Sequence, residues 1–190
     1  MNTIVTFFLR AKSWQIFLLL FGLMLIAQVT VIASFPDGRN SPESIRNSLL
    51  LFGFMTALFM FCYLGWIWSV GSFLNSSVLA ALRMRMGWFR FAAIYPAAYF
   101  FVFIAFFQAP NLDVFAIILP LHLLAMFCMF YNLYFVSKNL VLAETGKQAS
   151  FYNFAGPLFL IWFFPIGIWF VQPRINRIYA EKNSAESNGS

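Results

Sequence analysis

The sequence predicts an all-α, polytopic membrane protein, and three observations carry that prediction. Hydrophobic residues fill 62% of the 190 positions and charged residues only 9%, which is too little polar surface to cover a soluble globule. The apolar residues fall into long uncharged runs, each about as long as one helix needs to cross roughly 30 Å of hydrocarbon. Nearly all charged residues lie between those runs. The expectation is four spans plus a fifth, proline-interrupted hydrophobic element. They form a single helical domain over residues 1–178, followed by a polar tail over 179–190.

The first span covers residues 14–34 and is uncharged throughout, with Gln28 its one strongly polar interior residue. Arg10 and Lys12 precede it, but VIASFP at 31–36 offers no small-residue cleavage site, so the run reads as a retained span and not a signal peptide. Residues 35–47 form a polar connection: Pro36-Asp37-Gly38 and Ser41-Pro42 are turn signals, and Ser41 or Ser44 suits the cap of the next helix. The second span, 48–71, carries Gly53 and Ala57 one turn apart, small residues that let another helix approach closely. Trp66 and Trp68 near its end suit an interfacial aromatic belt.

Residues 75–90, NSSVLAALRMRMGWFR, place Leu79, Leu82, Met86 and Phe89 on one helical stripe, with Arg83 and Arg90 on one flank and Arg85 on the other. That pattern predicts a helix lying in the membrane interface with its arginines reaching phosphates; the alternative is an extension of the third span with a basic collar. The third span, 91–109, has a second small pair in Ala93 and Ala97, and the link 110–114 contains Asp113 but no basic residue. The fourth span, 115–136, has Pro120 near its start, and residues 137–152 read as a polar loop with Lys138, Glu144, Gly146 and Lys147.

The last apolar stretch, 154–171, would rise roughly 27 Å as a straight helix, enough to cross. Gly156-Pro157 and Pro165-Ile166-Gly167 interrupt it, and a mid-helix Pro165 would remove a backbone bond and clash with the preceding turn. A kinked fifth span and a re-entrant hairpin both fit. The tail lacks apolar residues to anchor it and is expected to be disordered.

Charge placement separates the two cases. If the last stretch folds back, ten of the twelve basic residues share the side of the N-terminus and only Arg39 and Arg46 lie opposite; if it crosses, Arg174, Arg177 and Lys182 move across. Positive-inside bias therefore favours the hairpin, with both termini cytoplasmic. WSVGSFLN at 68–75 and WFVQPRIN at 169–176 share Trp, Val and Asn at equal spacing, an internal echo consistent with two membrane exits on one side. PIGIWFVQPRIN at 165–176, together with WQIFLLLFG at 14–22 and WSVGSFLN, resembles small multi-pass bacterial membrane proteins that have no assigned function. The resemblance implies a bacterial inner membrane and no particular activity.

The basic balance points to the lipid bilayer and not to nucleic acid, since no basic run is interleaved with stacking aromatics. Arg83, Arg85, Arg90 and Arg174 are the expected headgroup contacts. No Asp, Glu, Lys or Arg falls inside an apolar run, which disfavours proton-coupled transport and excludes paired-aspartate proteolysis. His122 is the sole histidine and shares a helical face with Met126 and Met129, a set that can ligate haem or copper but more simply bonds a neighbouring helix and fills the core. No metal or cofactor is expected. Asn132 and Asn139 are read as bonding across helices, and Cys62 and Cys128 as free, buried thiols. The serines lack a nucleophile-elbow context, and Gly146-Lys147 lacks a phosphate-loop frame. These readings favour a non-enzymatic scaffold or accessory subunit, partnered by other membrane subunits or itself. The alternative is a small-solute or ion carrier or channel, and a lipid-modifying enzyme comes third.

Overall fold

The computed structural model describes residues 3–33, 42–108 and 112–188, and every regular element among them is helical. Helix α1 (Thr3–Arg10) is followed by α2 (Ser13–Phe17), which passes through a π-turn at Leu18–Gly22 into α3 (Leu23–Ala33). Then come α4 (Pro42–Ser77), α5 (Met86–Gln108) and α6 (Leu112–Thr145). Four stretches of these are long and apolar enough to cross a membrane: Ser13–Ala33, Arg46–Ser77, Met86–Phe106 and Phe115–Thr145. The turn signals at Pro36-Asp37-Gly38 and Ser41, and Pro110 in the third link, lie outside the described residues.

Packing follows from a chain that is apolar on all sides. Leu25, Ile32, Phe54, Phe101 and Phe127 project outward, where lipid would meet them, while Ile16, Trp66, Phe89 and Phe135 are fully buried. Sequence neighbours pack on one another, α3 on α4, α4 on α5 and α5 on α6, and the last two pairs are antiparallel: Phe61 meets Phe101 and Trp68 meets Phe89, while Phe89 meets Phe135 and Tyr99 meets His122. At Gly71 of α4 a Cβ would stand 2.5 Å from the Phe89 ring, which stacks on Phe135 with centroids 4.1 Å apart. Gly53 faces Ile104 of α5 at an ordinary 3.9 Å and Ala57 is half-buried; Ala93 is buried and Ala97 half-buried on α5.

A proline in α5 explains why Asn132 is where it is. Pro96 has no N–H to give to Ala92, four residues earlier, so that carbonyl loses its helical partner. Asn132 of α6, buried, donates its Nδ2 to the Ala92 carbonyl at 2.8 Å and so satisfies it from the next helix, as a hydrocarbon setting requires. Asn132→Leu should therefore cost about 1–3 kcal/mol. In a Pro96→Ala background, where residue 96 supplies its own N–H, the cost should fall by more than half. Unfolding of the parent protein, the two single variants and the double variant in mixed micelles, followed by circular dichroism, checks this; equal losses in both backgrounds would refute the coupling.

The connection at 75–90 differs from expectation. It is not one interfacial helix: α4 runs to Ser77, a 3₁₀ turn spans Ala80–Leu82, and α5 begins at Met86. Side-chain bonds to the backbone replace the missing helical ones. The Asn75 side chain accepts from Met84 N–H at 3.0 Å and donates to its carbonyl at 3.2 Å, while Arg83 donates to the Val78 and Ser76 carbonyls at 3.0 Å each. Leu79 is exposed and Phe89 buried, so the apolar stripe does not share one environment. The fourth span is also longer than its apolar run, continuing as helix through Lys138 and Glu144 to Thr145. It stops at Gly146, whose φ of 63° suits a glycine cap and whose N–H bonds the Leu142 carbonyl at 2.9 Å.

The last apolar stretch is two helices. In α7 (Phe151–Trp162), Asn153 accepts from the backbone N–H of Ser150 at 2.9 Å, just before the first turn. At Phe163 (φ −84°, ψ 57°) the chain leaves helical geometry, and α8 (Phe164–Asn188) starts at once, with Pro165 in its first turn, where no partner N–H is needed. The chain folds back so tightly that a Cβ on Gly167 would lie 1.6 Å from the Leu160 carbonyl oxygen. Helix α7 lies against α6 through Phe154 on Tyr134 and Trp162 on Phe130. Helix α8 runs along α4, with Phe164 edge-on to Trp66, Tyr179 on Phe73, and Lys182 bonded to Ser76. Where composition predicts a disordered tail from residue 179, α8 remains helical to Asn188.

Candidate functional site

Two regions gather polar chemistry: one end of the bundle, and a cavity between the helices. At the end, Gln172 of α8 is fully buried. Its Oε1 accepts from the Trp66 indole at 3.0 Å, and its Nε2 donates to the Phe8 and Ala11 carbonyls at 2.9 and 3.0 Å. Asn176 adds a 3.2 Å bond to the Ala11 carbonyl. The Phe8 carbonyl lies in the last turn of α1 and that of Ala11 just past its end, where the helix has no further N–H to offer them. Residues more than 160 positions away in sequence thus cap α1 and tie the two chain ends together.

Beside this clamp, Glu144 at the end of α6 receives two bonds from Arg174, one of 2.7 Å from Nε to Oε1 and one from Nη2 to Oε2. Arg177 lies 3.4 Å from the same carboxylate, whose side chain is only 14% exposed. Arg10 stands over the Tyr179 ring and Lys182 over the Phe73 ring. Of the four arginines expected to meet lipid headgroups, Arg83 is turned to the α4 terminus and Arg174 to Glu144, while Arg85 and Arg90 are exposed.

The cavity, of about 650 Å³, lies among α3, α4, α5 and α6 and ends at the Phe163 joint, where Trp162, Phe164 and Pro165 line it. Its walls are apolar except for a few groups. Tyr99 Oη is 3.1 Å from His122 Nδ1, and the Phe103 ring stacks on the imidazole. Gln28 also lines the cavity and has no hydrogen-bond partner among the described residues. The structure thus brings together Gln28 and His122, which the sequence singles out separately, and sets Met126 and Met129 beside them. Asn132 takes no part, being engaged with Ala92.

Sequence reasoning missed Gln172, Glu144 and Tyr99 as participants. Gln172 had a signal equal to that of Gln28, a lone amide at the end of an apolar run, but its partners lie too far along the chain to be inferred. Among the described residues no three His, Cys, Asp or Glu side chains converge as a metal site. Comparison with protein families, with curated proteins and with solved structures finds no match.

Proposed function

We propose that the protein is a non-enzymatic membrane scaffold or accessory subunit, with both termini on the cytoplasmic side of a bacterial inner membrane and residues 151–188 folded as a re-entrant hairpin. The functional reading is carried by where the buried polar groups go. Ser69, Ser137 and Asn139 bond carbonyls of their own helices, and Asn75, Asn132 and Gln172 tie one element to another, so none of these groups points to a shared reacting centre.

The hairpin reading draws on the Glu144–Arg174 pair, which joins the entry of the stretch to its exit. It draws also on length: the 12 residues of α7 rise only about 18 Å, a little over half of the hydrocarbon core. With the hairpin, the basic residues collect at one end, which positive-inside bias assigns to the cytoplasm. Green fluorescent protein fused after Ser190 should be bright and alkaline phosphatase there inactive; the reverse pattern makes the stretch a kinked fifth span. Isolation in mild detergent should recover stoichiometric membrane partners.

A carrier is the second reading, favoured by one observation: the joint at Phe163, where two helix ends meet, borders the cavity. Solute-dependent flux in liposomes containing only this chain would establish it over the scaffold reading.

A further inference from the structure

The cavity exists because the hairpin stops short. Above the Phe163 joint, α3, α4, α5 and α6 continue toward their far ends without a fifth helix between them, and the space is walled by aromatic rings: Phe21, Phe59, Phe100, Phe130, Trp162 and Phe164. We propose that this cavity binds a lipid-soluble planar ring compound bearing ring-oxygen acceptors, of the quinone class.

Three features select that chemistry. First, an acyl chain gains little by leaving the bilayer for these walls, because lipid tails are already as apolar as the cavity. A flat conjugated ring does gain, through stacked and edge contacts with aromatic side chains that an alkyl chain cannot make. Second, hydrogen-bond donors are waiting. The 3.1 Å Tyr99–His122 bond uses one donor of the pair and leaves one over, the imidazole Nε2–H if the hydroxyl donates or the hydroxyl proton if Nδ1–H does, and the Gln28 amide has no partner among the described residues. Gln28 and His122 are both exposed, so their free polar atoms open onto the cavity, and the carbonyl oxygens of a ring ligand are acceptors that these donors would meet. Third, the size fits: about 650 Å³ lies within the range of small-ligand sites, and Met24, Met60, Met126 and Met129 make the walls adaptable. Binding is the whole of the proposal; it involves no electron transfer, and it stands whether the protein is a scaffold or a carrier.

Full-length protein in lipid nanodiscs, titrated with decylubiquinone against empty nanodiscs, tests it. Saturable binding of one molecule per chain is expected, with palmitic acid failing to compete. His122→Phe and Gln28→Leu should each weaken binding about tenfold. Ala125→Phe, which puts a ring into the space from a buried position on the wall, should abolish it. Because that variant risks misfolding, Met126→Trp, from an exposed position on the same wall, provides a second filling substitution to be compared at equal monodispersity. Absence of saturable binding, binding untouched by both filling variants, or equal competition by palmitic acid would each overturn the proposal, the last by showing that the cavity merely admits lipid tails.

Discussion

Gly167→Ala should prevent the protein from accumulating in folded form, although the change adds a single methyl group. The added Cβ would meet the Leu160 carbonyl oxygen at 1.6 Å, the carbonyl carbon at 2.3 Å and Cα at 2.7 Å. All three are backbone atoms, and no rotamer change can move them aside. Relief would require α8 to swing away from α7, pulling Phe164 off Tyr63 and Trp66. Overpacking against movable side chains costs typically about 1–3 kcal/mol, and this clash should cost at least the upper figure. Gly156→Ala is the matched control: nothing lies within 4 Å of its Cβ position, and alanine favours helix by up to about 1 kcal/mol over glycine. Fluorescence-detected size exclusion of the two variants compares them directly. A monodisperse Gly167→Ala protein at wild-type yield would mean that the joint at Phe163 is not as tight as described.

How much of this was legible beforehand divides along a physical line. The four apolar runs were, because a helix in hydrocarbon must be uncharged for some twenty residues whatever it packs against. Where helices stop was not. Polar residues such as Lys138 and Glu144 end an apolar run but are good helix formers, so α6 continues for two more turns. Conversely, the apolar stripe of 75–90 suggested a helix, and a few bonds from Asn75 and Arg83 to backbone decided otherwise. Pro165 was legible as a break but not as the first turn of a new helix. Gln28 and His122 stood out as polar residues in apolar runs. That they share a cavity depends on how α3, α5 and α6 pack around it, which no local pattern encodes.

Gln172→Leu should release α1 from the body of the protein. The substitution leaves the Trp66 indole N–H and the Phe8 carbonyl without their partners and reduces Ala11 to the longer Asn176 bond. Each unsatisfied buried group costs about 1–3 kcal/mol, so with two of them roughly 2–6 kcal/mol is at stake, a large share of a typical domain's stability. Helix α1 is only 8 residues long and presents Ile4 and Phe7 outward, so apart from the clamp it is held chiefly by the buried Phe8 and Leu9. The exposed Lys12 then becomes a protease reporter: trypsin should cut after it at least tenfold faster in the variant, while cleavage after Arg85, in a loop braced by Asn75 and Arg83, should be unchanged. Trp66→Phe removes the indole donor and leaves both carbonyl bonds, so alone it should speed cleavage only slightly. In combination with Gln172→Leu its cost should be less than additive, since the two substitutions remove one shared bond. Unchanged cleavage after Lys12 in Gln172→Leu would show that α1 is held by its apolar contacts with α4, and that the buried amide is not what joins the two ends of the chain.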